Sequence, residues 1–204
     1  MESETYSYKT LLKSSIEVLY KDKKSKFYGY AFPIQIEDDV KPIIAELKNK
    51  HQSANHICYA WQLGIKDIRY RANDDGEPNN SAGLPIYGQI QSFEVTNVLV
   101  AVARIFGGTK LGVGGLISAY RETAKLALQK SNIIEKKIQS HYKIEFEYSD
   151  INPVMGLIKK LQMDIISQKM EIRCEIKVSF EKRNEKTVLE HFAPYHKIKF
   201  SELN

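Results

Sequence analysis

The sequence predicts an α+β protein made of two domains, and two observations lead to this prediction. Apolar strands and amphipathic helices alternate along the 204 residues without an internal repeat. Between Lys130 and Ser140 the chain becomes polar, and beyond this stretch the predicted elements follow the order β-α-β-β-α-β. We therefore expect an N-terminal domain over residues 1–136 and a C-terminal domain over residues 137–204.

The first part of the N-terminal domain alternates predicted strands with short helices. Strands are expected at three apolar or alternating runs, namely residues 27–32, 56–64 and 68–71. Asp38 or Asp39 is placed to cap a helix that has Pro42 in its first turn. A second short helix is predicted over residues 81–90 with Pro85 in its first turn. The polar residues between the third strand and this helix predict a turn.

Lysines are concentrated in the first 26 residues, at Lys9, Lys13, Lys21, Lys23, Lys24 and Lys26. One interpretation is a solvated hairpin or edge strand, because charged edges discourage pairing with other chains. The other interpretation is a rim that contacts phosphate groups. The sequence alone leaves both open.

The central segment of the chain is a strand, a glycine-rich loop and a helix between Asn97 and Tyr120. Residues 98–103 are apolar and rich in valine, which predicts a buried strand. Five glycines then fall within nine residues: Gly107, Gly108, Gly112, Gly114 and Gly115. From Leu116 onward the apolar spacing is helical. In this layout, free backbone N–H groups and a helix N-terminus can face an anion.

The glycine-rich loop does not match the common nucleotide-binding motifs. Gly107 and Gly112 have the spacing of a P-loop, but Val113 and Gly114 follow where Lys and Ser or Thr are required. In a dinucleotide fingerprint, Ile117 would occupy the place of the third glycine. We therefore predict no cofactor, and a general phosphate or nucleic-acid site formed by the five glycines with Arg104 and Lys110. The alternative is a tight connection that needs positive φ angles.

Four polar residues are candidates for catalysis: Asp74, Asp75, Glu77 and His56. Clustered carboxylates can hold Mg²⁺ or transfer protons, so one hypothesis is a metal-assisted enzyme that acts on phosphate. The structural alternative is that these carboxylates cap the helix after Ser81 or pair with an arginine, Arg69 or Arg104. The five histidines form no set with metal-ligand spacing, and no metal site is predicted.

The C-terminal domain has its own alternating pattern. Strands and helices are predicted in the order strand 142–148, helix 154–161, strand 165–166, strand 172–180, helix 187–192 and strand 196–200. This order is that of a ferredoxin-like sandwich.

Composition sets broad limits on location and partners. The net charge is +5 and the excess lies in the first 140 residues, which fits contact with nucleic acid. Cys58 and Cys174 are far apart and predict reduced thiols rather than a disulfide framework. The N-terminal residues are acidic, unlike a signal peptide, and no apolar run approaches the roughly 20 residues of a membrane helix. These features predict a cytoplasmic protein without membrane contact.

Several motifs taken together resemble the YigZ/IMPACT family, bacterial two-domain type. They are His56-Ile57-Cys58-Tyr59-Ala60, Asp74-Asp75-Gly76-Glu77-Pro78, Ser81-Ala82-Gly83-Leu84-Pro85-Ile86, Asn97-Val98, and Arg104 through Leu116. The resemblance implies an N-terminal fold like the second domain of small-subunit ribosomal protein five, with a left-handed β-α-β arrangement. It implies a C-terminal domain similar to the fifth domain of elongation factor G, and a role near translation.

We therefore expect RNA or the ribosome as the partner of the glycine-rich loop. A protein partner on the C-terminal sheet is a separate expectation.

Overall fold

The computed structural model describes residues 5–203, and within them the α+β class is confirmed. The acidic residues 1–4, which contribute to the prediction that there is no signal peptide, lie outside this range. The chain forms two compact units. The N-terminal unit is Tyr8–Lys136, and the C-terminal unit comprises residues 137–203 together with residues 5–7.

The N-terminal unit is built on a five-stranded sheet with the order β2-β3-β6-β4-β5, in which every neighbouring pair is antiparallel. Its elements are β2 (Val18–Asp22), β3 (Ser25–Pro33), α1 (Val40–Lys50), β4 (His56–Leu63), β5 (Arg69–Asn73), α2 (Gly83–Ser92), β6 (Val98–Ile105) and α3 (Gly112–Gln129). Two further strands, β1 (Ser7–Leu11) and β7 (Ile133–Lys137), form a separate two-stranded sheet. Since β3 and β4 both run antiparallel to β6, they are parallel to each other, and α1 is the crossover between them.

The predicted buried strand is the central strand β6, where residues 98–104 are all buried. Helices cover both faces of the sheet, which explains why β6 is apolar without alternation. On one face Val100 and Val102 belong to a core with Ile86 of α2 and Tyr120 of α3. The other face carries two smaller apolar clusters, which include Leu99, Ala101 and residues of α1. The glycine-rich loop therefore follows directly from the buried central strand of the sheet.

Three local predictions are wrong. Asp39 does not cap α1, because its Oδ2 accepts the backbone N–H groups of Gln35 and Ile36 at 2.7 and 3.1 Å and so closes the preceding turn. The helix after the glycine-rich loop begins at Gly112 rather than Leu116. Its first turn contains three glycines, which have no apolar side chains, so the spacing of apolar residues could not indicate the start of the helix. Ile172 is 91% exposed and precedes its strand.

The C-terminal unit confirms the ferredoxin-like order. Its elements are β8 (Gln139–Glu147), α4 (Ile151–Lys160), β9 (Asp164–Lys169), β10 (Arg173–Glu181), α5 (Glu185–Phe192) and β11 (Lys199–Glu202). The four strands form an antiparallel sheet with the order β11-β8-β10-β9. Alternate residues of β8 and β10 face a core that includes Val154 and Ile158 of α4 and Val188 of α5. Of the helices in the described part of the chain, none has both the length and the apolar composition that crossing a membrane requires.

Candidate functional site

A cavity of about 500 Å³ lies where the glycine-rich loop meets the loop that follows β5. We call this second loop, which contains Asp74, Asp75 and Glu77, the acidic loop. Its lining is mostly apolar and is formed by Asn55, His56, Glu77, Pro78, Arg104, Phe106, Lys110, Leu111, Gly112, Val113 and Leu116. Five of the residues predicted from sequence line this cavity: His56, Glu77, Arg104, Lys110 and Gly112. The cavity thus joins the predicted anion site to part of the predicted catalytic group.

A buried ion pair forms one wall of the cavity. Nη1 of Arg104 lies 2.6 Å from Oε1 of Glu77, and the two side chains are only 8% and 4% exposed. The hydroxyl of Tyr120 donates to the same Glu77 oxygen at 2.7 Å. Burial, with the neighbouring Cys58 thiol and Glu77 carboxylate, raises the pKa of Tyr120 far above its ordinary value, so this hydroxyl keeps its proton. The pair is therefore held by a neutral donor from α3.

Arg104 has a donor that the protein leaves unused. Its Nε is buried and has no hydrogen-bond partner in the described chain. The guanidinium carbon lies 5.5 Å from the ring centre of Phe27 and 5.6 Å from that of Phe106, so two aromatic rings fix its position. A buried donor without an acceptor costs about 1–3 kcal/mol.

The other two acidic candidates bind backbone groups of the acidic loop and its neighbours. Oδ1 of Asp74 accepts the N–H groups of Ala82 and Gly83 at 2.9 and 2.8 Å, and Oδ2 accepts that of Asn80 at 2.8 Å. Asp74 therefore satisfies free donors at the start of α2. Oδ2 of Asp75 accepts the N–H of Ile57 at 2.7 Å. These contacts correspond to the structural alternative, while a catalytic role for the acidic residues stays a prediction.

His56 has a fixed tautomer when it is neutral. Its Nδ1 lies 2.7 Å from the carbonyl oxygen of Asp75, and a carbonyl can only accept a hydrogen bond. Nδ1 therefore carries the proton and Nε2 is a free acceptor. His56 faces Arg104 across the β4–β6 pair. In the part of the chain that the structure describes, no three His, Cys, Asp or Glu side chains are grouped so that they could hold a metal ion.

The five glycines of the loop have different structural roles. At Gly107 an added Cβ would lie 2.0 Å from the carbonyl carbon of Lys24, so only glycine fits there. Gly108 and Gly112 have φ angles of +85° and +74°, which favour glycine. At Gly115 a Cβ would lie 3.0 Å from Cβ of Leu111. Gly114 has open space and no positive φ, so the fold does not require glycine at this position.

The N-terminus of α3 is open to solvent beside a lysine. Leu111 at the N-cap provides no side-chain hydrogen bond, and Gly112, Val113 and Gly114 are exposed. The first N–H groups of a helix have no acceptor within the helix, and they carry partial positive charge. Lys110 is exposed next to them and forms no ion pair with any described residue. This end of α3 has the chemistry of an anion site.

The lysine-rich hairpin of β2 and β3 lies directly beside the glycine-rich loop. We call the residues from Lys21 to Lys26 the lysine hairpin. Its turn contacts Gly107, and the N–H of Gly107 donates to Oγ of Ser25 at 3.2 Å. The four exposed lysines of the hairpin, Lys21, Lys23, Lys24 and Lys26, pair with none of the acidic side chains described. Since β2 is an edge strand, the hairpin is a solvated edge of the sheet, and a role as a rim that contacts phosphate stays a prediction.

Phe106 and Asn55 are among the lining residues that sequence reasoning missed. Phe106 is 43% exposed, and its N–H donates to Oδ1 of Asn55 at 3.0 Å. The N–H of Asn55 in turn donates to the carbonyl of Arg104 at 2.9 Å. The position of Phe106, an aromatic residue between Arg104 and Gly107, could have indicated from sequence that it belongs to the site. Asn55 offered none, because its contact depends on the β4–β6 pairing.

Comparison with known proteins identifies the family. A model of the Impact N-terminal domain matches residues 23–128, which include both loops of the site. The chain belongs to the IMPACT family. This confirms the resemblance seen in the motifs.

Relatives and one solved structure extend this comparison. The IMPACT family member YvyE of Bacillus subtilis is 30% identical over 69% of this chain and 64% of its own length. The IMPACT family member YigZ of Escherichia coli is 29% identical over 74% of this chain and 76% of its own length. A crystal structure of a hypothetical protein superposes with a TM-score of 0.73 over 98% of this chain and 99% of its own, at 22% identity. That structure shows that the fold is shared.

Proposed function

We propose that this IMPACT family protein binds RNA, free or within the ribosome, and acts in translation in the cytoplasm. In this proposal a backbone phosphate lies at the N-terminus of α3, where it accepts N–H groups of residues 112–115 and pairs with Lys110. The lysine hairpin extends the positively charged surface to neighbouring phosphates. Such contacts supply affinity without reading sequence.

One observation carries the proposal, namely the contact between the lysine hairpin and the glycine-rich loop. Ser25 and Gly107 are 82 positions apart in the chain, yet they share a hydrogen bond. This contact brings the turn of the lysine hairpin against the glycine-rich loop, which leads on to Lys110 and the start of α3. Several cations around free backbone donors favour a polyanion over a single small anion.

The turn of the lysine hairpin supports a functional role for its charge. Lys23 and Lys24 form a two-residue loop between the paired residues Asp22 and Ser25, with φ angles of 41° and 68°. Loops with two positive φ angles strongly prefer Asn-Gly, because left-handed conformations are unfavourable for side chains such as lysine. Two lysines therefore occupy positions where they reduce stability, which supports selection for their charge.

The C-terminal unit has a different electrostatic character. On the exposed face of its sheet, Lys143 lies 3.1 Å from Glu145 and 4.0 Å from Glu175, and Lys199 lies 3.4 Å from Glu145. Lysines that are already paired attract phosphate less than the unpaired lysines of the hairpin. We therefore assign RNA contact to the N-terminal unit, and a protein partner for the C-terminal sheet stays a separate prediction.

Salt-dependent binding of single-stranded RNA tests the proposal. Anisotropy titrations at several salt concentrations give the slope of log affinity against log salt, and each phosphate contact contributes about −0.7 to it. Lys110→Gln should weaken binding and reduce the slope by about 0.7. Lys130→Gln is the matched control, since Lys130 follows the other end of α3, about 27 Å away along 18 residues. No binding at low salt, or equal effects of the two variants, would contradict the proposal.

A further inference from the structure

We propose that the cavity beside the glycine-rich loop takes one unstacked base of the bound strand. The protein would then bind single-stranded nucleic acid, with a phosphate at α3 and the attached base in the cavity. This inference rests on the proposed function and adds that the ligand is recognised through a base as well as through a phosphate.

The cavity has the size and lining of a site for a ring rather than for phosphate alone. Its volume of about 500 Å³ lies within the roughly 300–1,000 Å³ usual for small-molecule sites. Phe106, Val113, Leu116 and Pro78 give it a largely apolar wall. Contact with an apolar wall does not stabilise a bound phosphate, whereas it does stabilise the apolar faces of a base.

Phe106 is placed as a stacking platform at the rim of the cavity. Phe106 is 43% exposed, although its backbone N–H is held by Asn55. The guanidinium of Arg104 lies 5.6 Å from its ring centre and restrains the ring from the protein side. Aromatic side chains held in this way bind unstacked bases through their π-faces, whatever the base.

Two residues that line the cavity, Arg104 and His56, carry polar groups of the kinds that bind the edge of a base. Nε of Arg104 is a buried donor without an acceptor, on a residue that is only 6% exposed. Nε2 of His56 is an acceptor when the ring is neutral, because Nδ1 holds the proton toward Asp75. Arg104 and His56 thus bring a donor and an acceptor group to a mostly apolar lining. Base edges carry both kinds of group, whereas phosphate oxygens only accept.

The position of α3 joins the two halves of the ligand. Gly112 and Val113, in the first turn of α3, line the same cavity as Phe106 and Arg104. A phosphate at the helix N-terminus would therefore lie at the mouth of the cavity. In a duplex the bases are stacked and paired and cannot enter without being extruded. The arrangement consequently favours single strands.

A comparison of three RNA ligands tests this inference in the intact protein. The probes are a single-stranded oligonucleotide of uniform sequence, the same strand with consecutive abasic nucleotides, and its duplex. We expect the base-containing strand to bind about 5- to 150-fold more tightly than the abasic strand, the range given by stacking of one base. We expect the duplex to bind more weakly than the single strand.

Variants at Phe106 distinguish the contribution of the base to RNA affinity from that of the phosphate. Phe106→Ala and Phe106→Leu should both reduce the preference for bases and leave the salt slope unchanged; the leucine variant keeps apolar volume and guards against misfolding. Tyr148→Ala, at an exposed aromatic residue of the C-terminal unit, is the control and should keep the preference. Equal binding of base-containing and abasic strands, with a normal salt slope, would overturn the base site and leave the proposed function intact. Absence of binding to every RNA at low salt would overturn both.

Discussion

Glu77 shows how a single buried residue organises the candidate site. It accepts hydrogen bonds from Arg104 of β6 and Tyr120 of α3, so one carboxylate joins a strand, a helix and the acidic loop. Its neighbours Asp74 and Asp75 bind backbone N–H groups instead. Acidic residues that are adjacent in sequence therefore perform separate structural tasks. The sequence could indicate the cluster but not the partner of each member.

Glu77→Ala should strongly destabilise the N-terminal unit, because it leaves the buried charge of Arg104 without a partner. The expected loss in the free energy of unfolding is about 3–5 kcal/mol. Urea unfolding followed by fluorescence of Trp61, the single tryptophan and a buried residue of this unit, measures it. Glu94→Ala removes the partner of Lys9 in an exposed pair and should change little. A similarly small effect at Glu77 would refute the role of the buried pair.

Gly114→Ala should reduce RNA binding without reducing stability. The position has open space and no positive φ, so alanine fits and raises helix propensity by up to about 1 kcal/mol. Its Cβ would, however, stand beside the N–H groups that we assign to phosphate. Gly88→Ala in α2 is the matched control, because Gly88 is also a helical glycine with no atom within 4 Å of an added Cβ. If both variants bind RNA like the wild type, close approach of a ligand to Gly114 is refuted.

The stability of the N-terminal unit should fall as pH decreases from 7.5 to 5.5. His51 Nε2 lies 2.5 Å from the hydroxyl of Tyr30, which donates to Glu17. Burial lowers the pKa of His51 below 6.5, an effect that Glu17 opposes and Lys50 increases. The unfolded chain therefore binds a proton near pH 6.5 that the folded state takes up only at lower pH, so stability decreases over this interval. The pKa of Glu17 is also lowered, so it stays ionised and adds no slope here.

Urea unfolding at the two pH values measures this effect. His51→Gln should flatten the change, while His191→Gln in the C-terminal unit should leave it as in the wild type. An equal pH effect in the wild type and His51→Gln would contradict the assignment.

At the scale of elements, the lysine hairpin and α3 account for most of the proposed surface. The hairpin turn packs on Gly107, which has no room for a side chain, and the loop then leads into the open end of α3. Strand β6 and helix α3 were predictable, because their residues are apolar on the faces that the sheet and helices bury. Strands β1 and β7 were missed, since both are short and they form a two-stranded sheet apart from the main sheet. The contact between hairpin and loop is non-local, and no sequence pattern encodes it.

Replacing Lys23 and Lys24 by Asn and Gly should change stability and RNA affinity in opposite directions. Asn-Gly suits the two positive φ angles, so unfolding should require more urea. The loss of two unpaired charges should weaken RNA binding and reduce the salt slope by up to about 1.4. Higher stability with unchanged RNA binding would show that the hairpin lies outside the interface.

At the scale of the whole molecule, the two units differ in how far their charged side chains form ion pairs. The net charge is only +5, and charged side chains of the C-terminal sheet largely pair with one another. The lysines around the glycine-rich loop are unpaired, so the local potential is stronger than the net charge implies. Composition could therefore predict a polyanionic partner in general terms. The position that we propose for the surface depends on contacts that only the structure reveals.

The most direct measurement is a residue-resolved map of RNA contact on the intact protein. Backbone amide shifts recorded by NMR during titration with single-stranded RNA provide it. We expect the largest changes at Gly112, Gly114, Gly115 and Lys110, with smaller changes in the lysine hairpin and little change in residues 139–203. Changes concentrated in the C-terminal unit, with the amides at the start of α3 unaffected, would contradict the claim that the glycine-rich loop binds RNA.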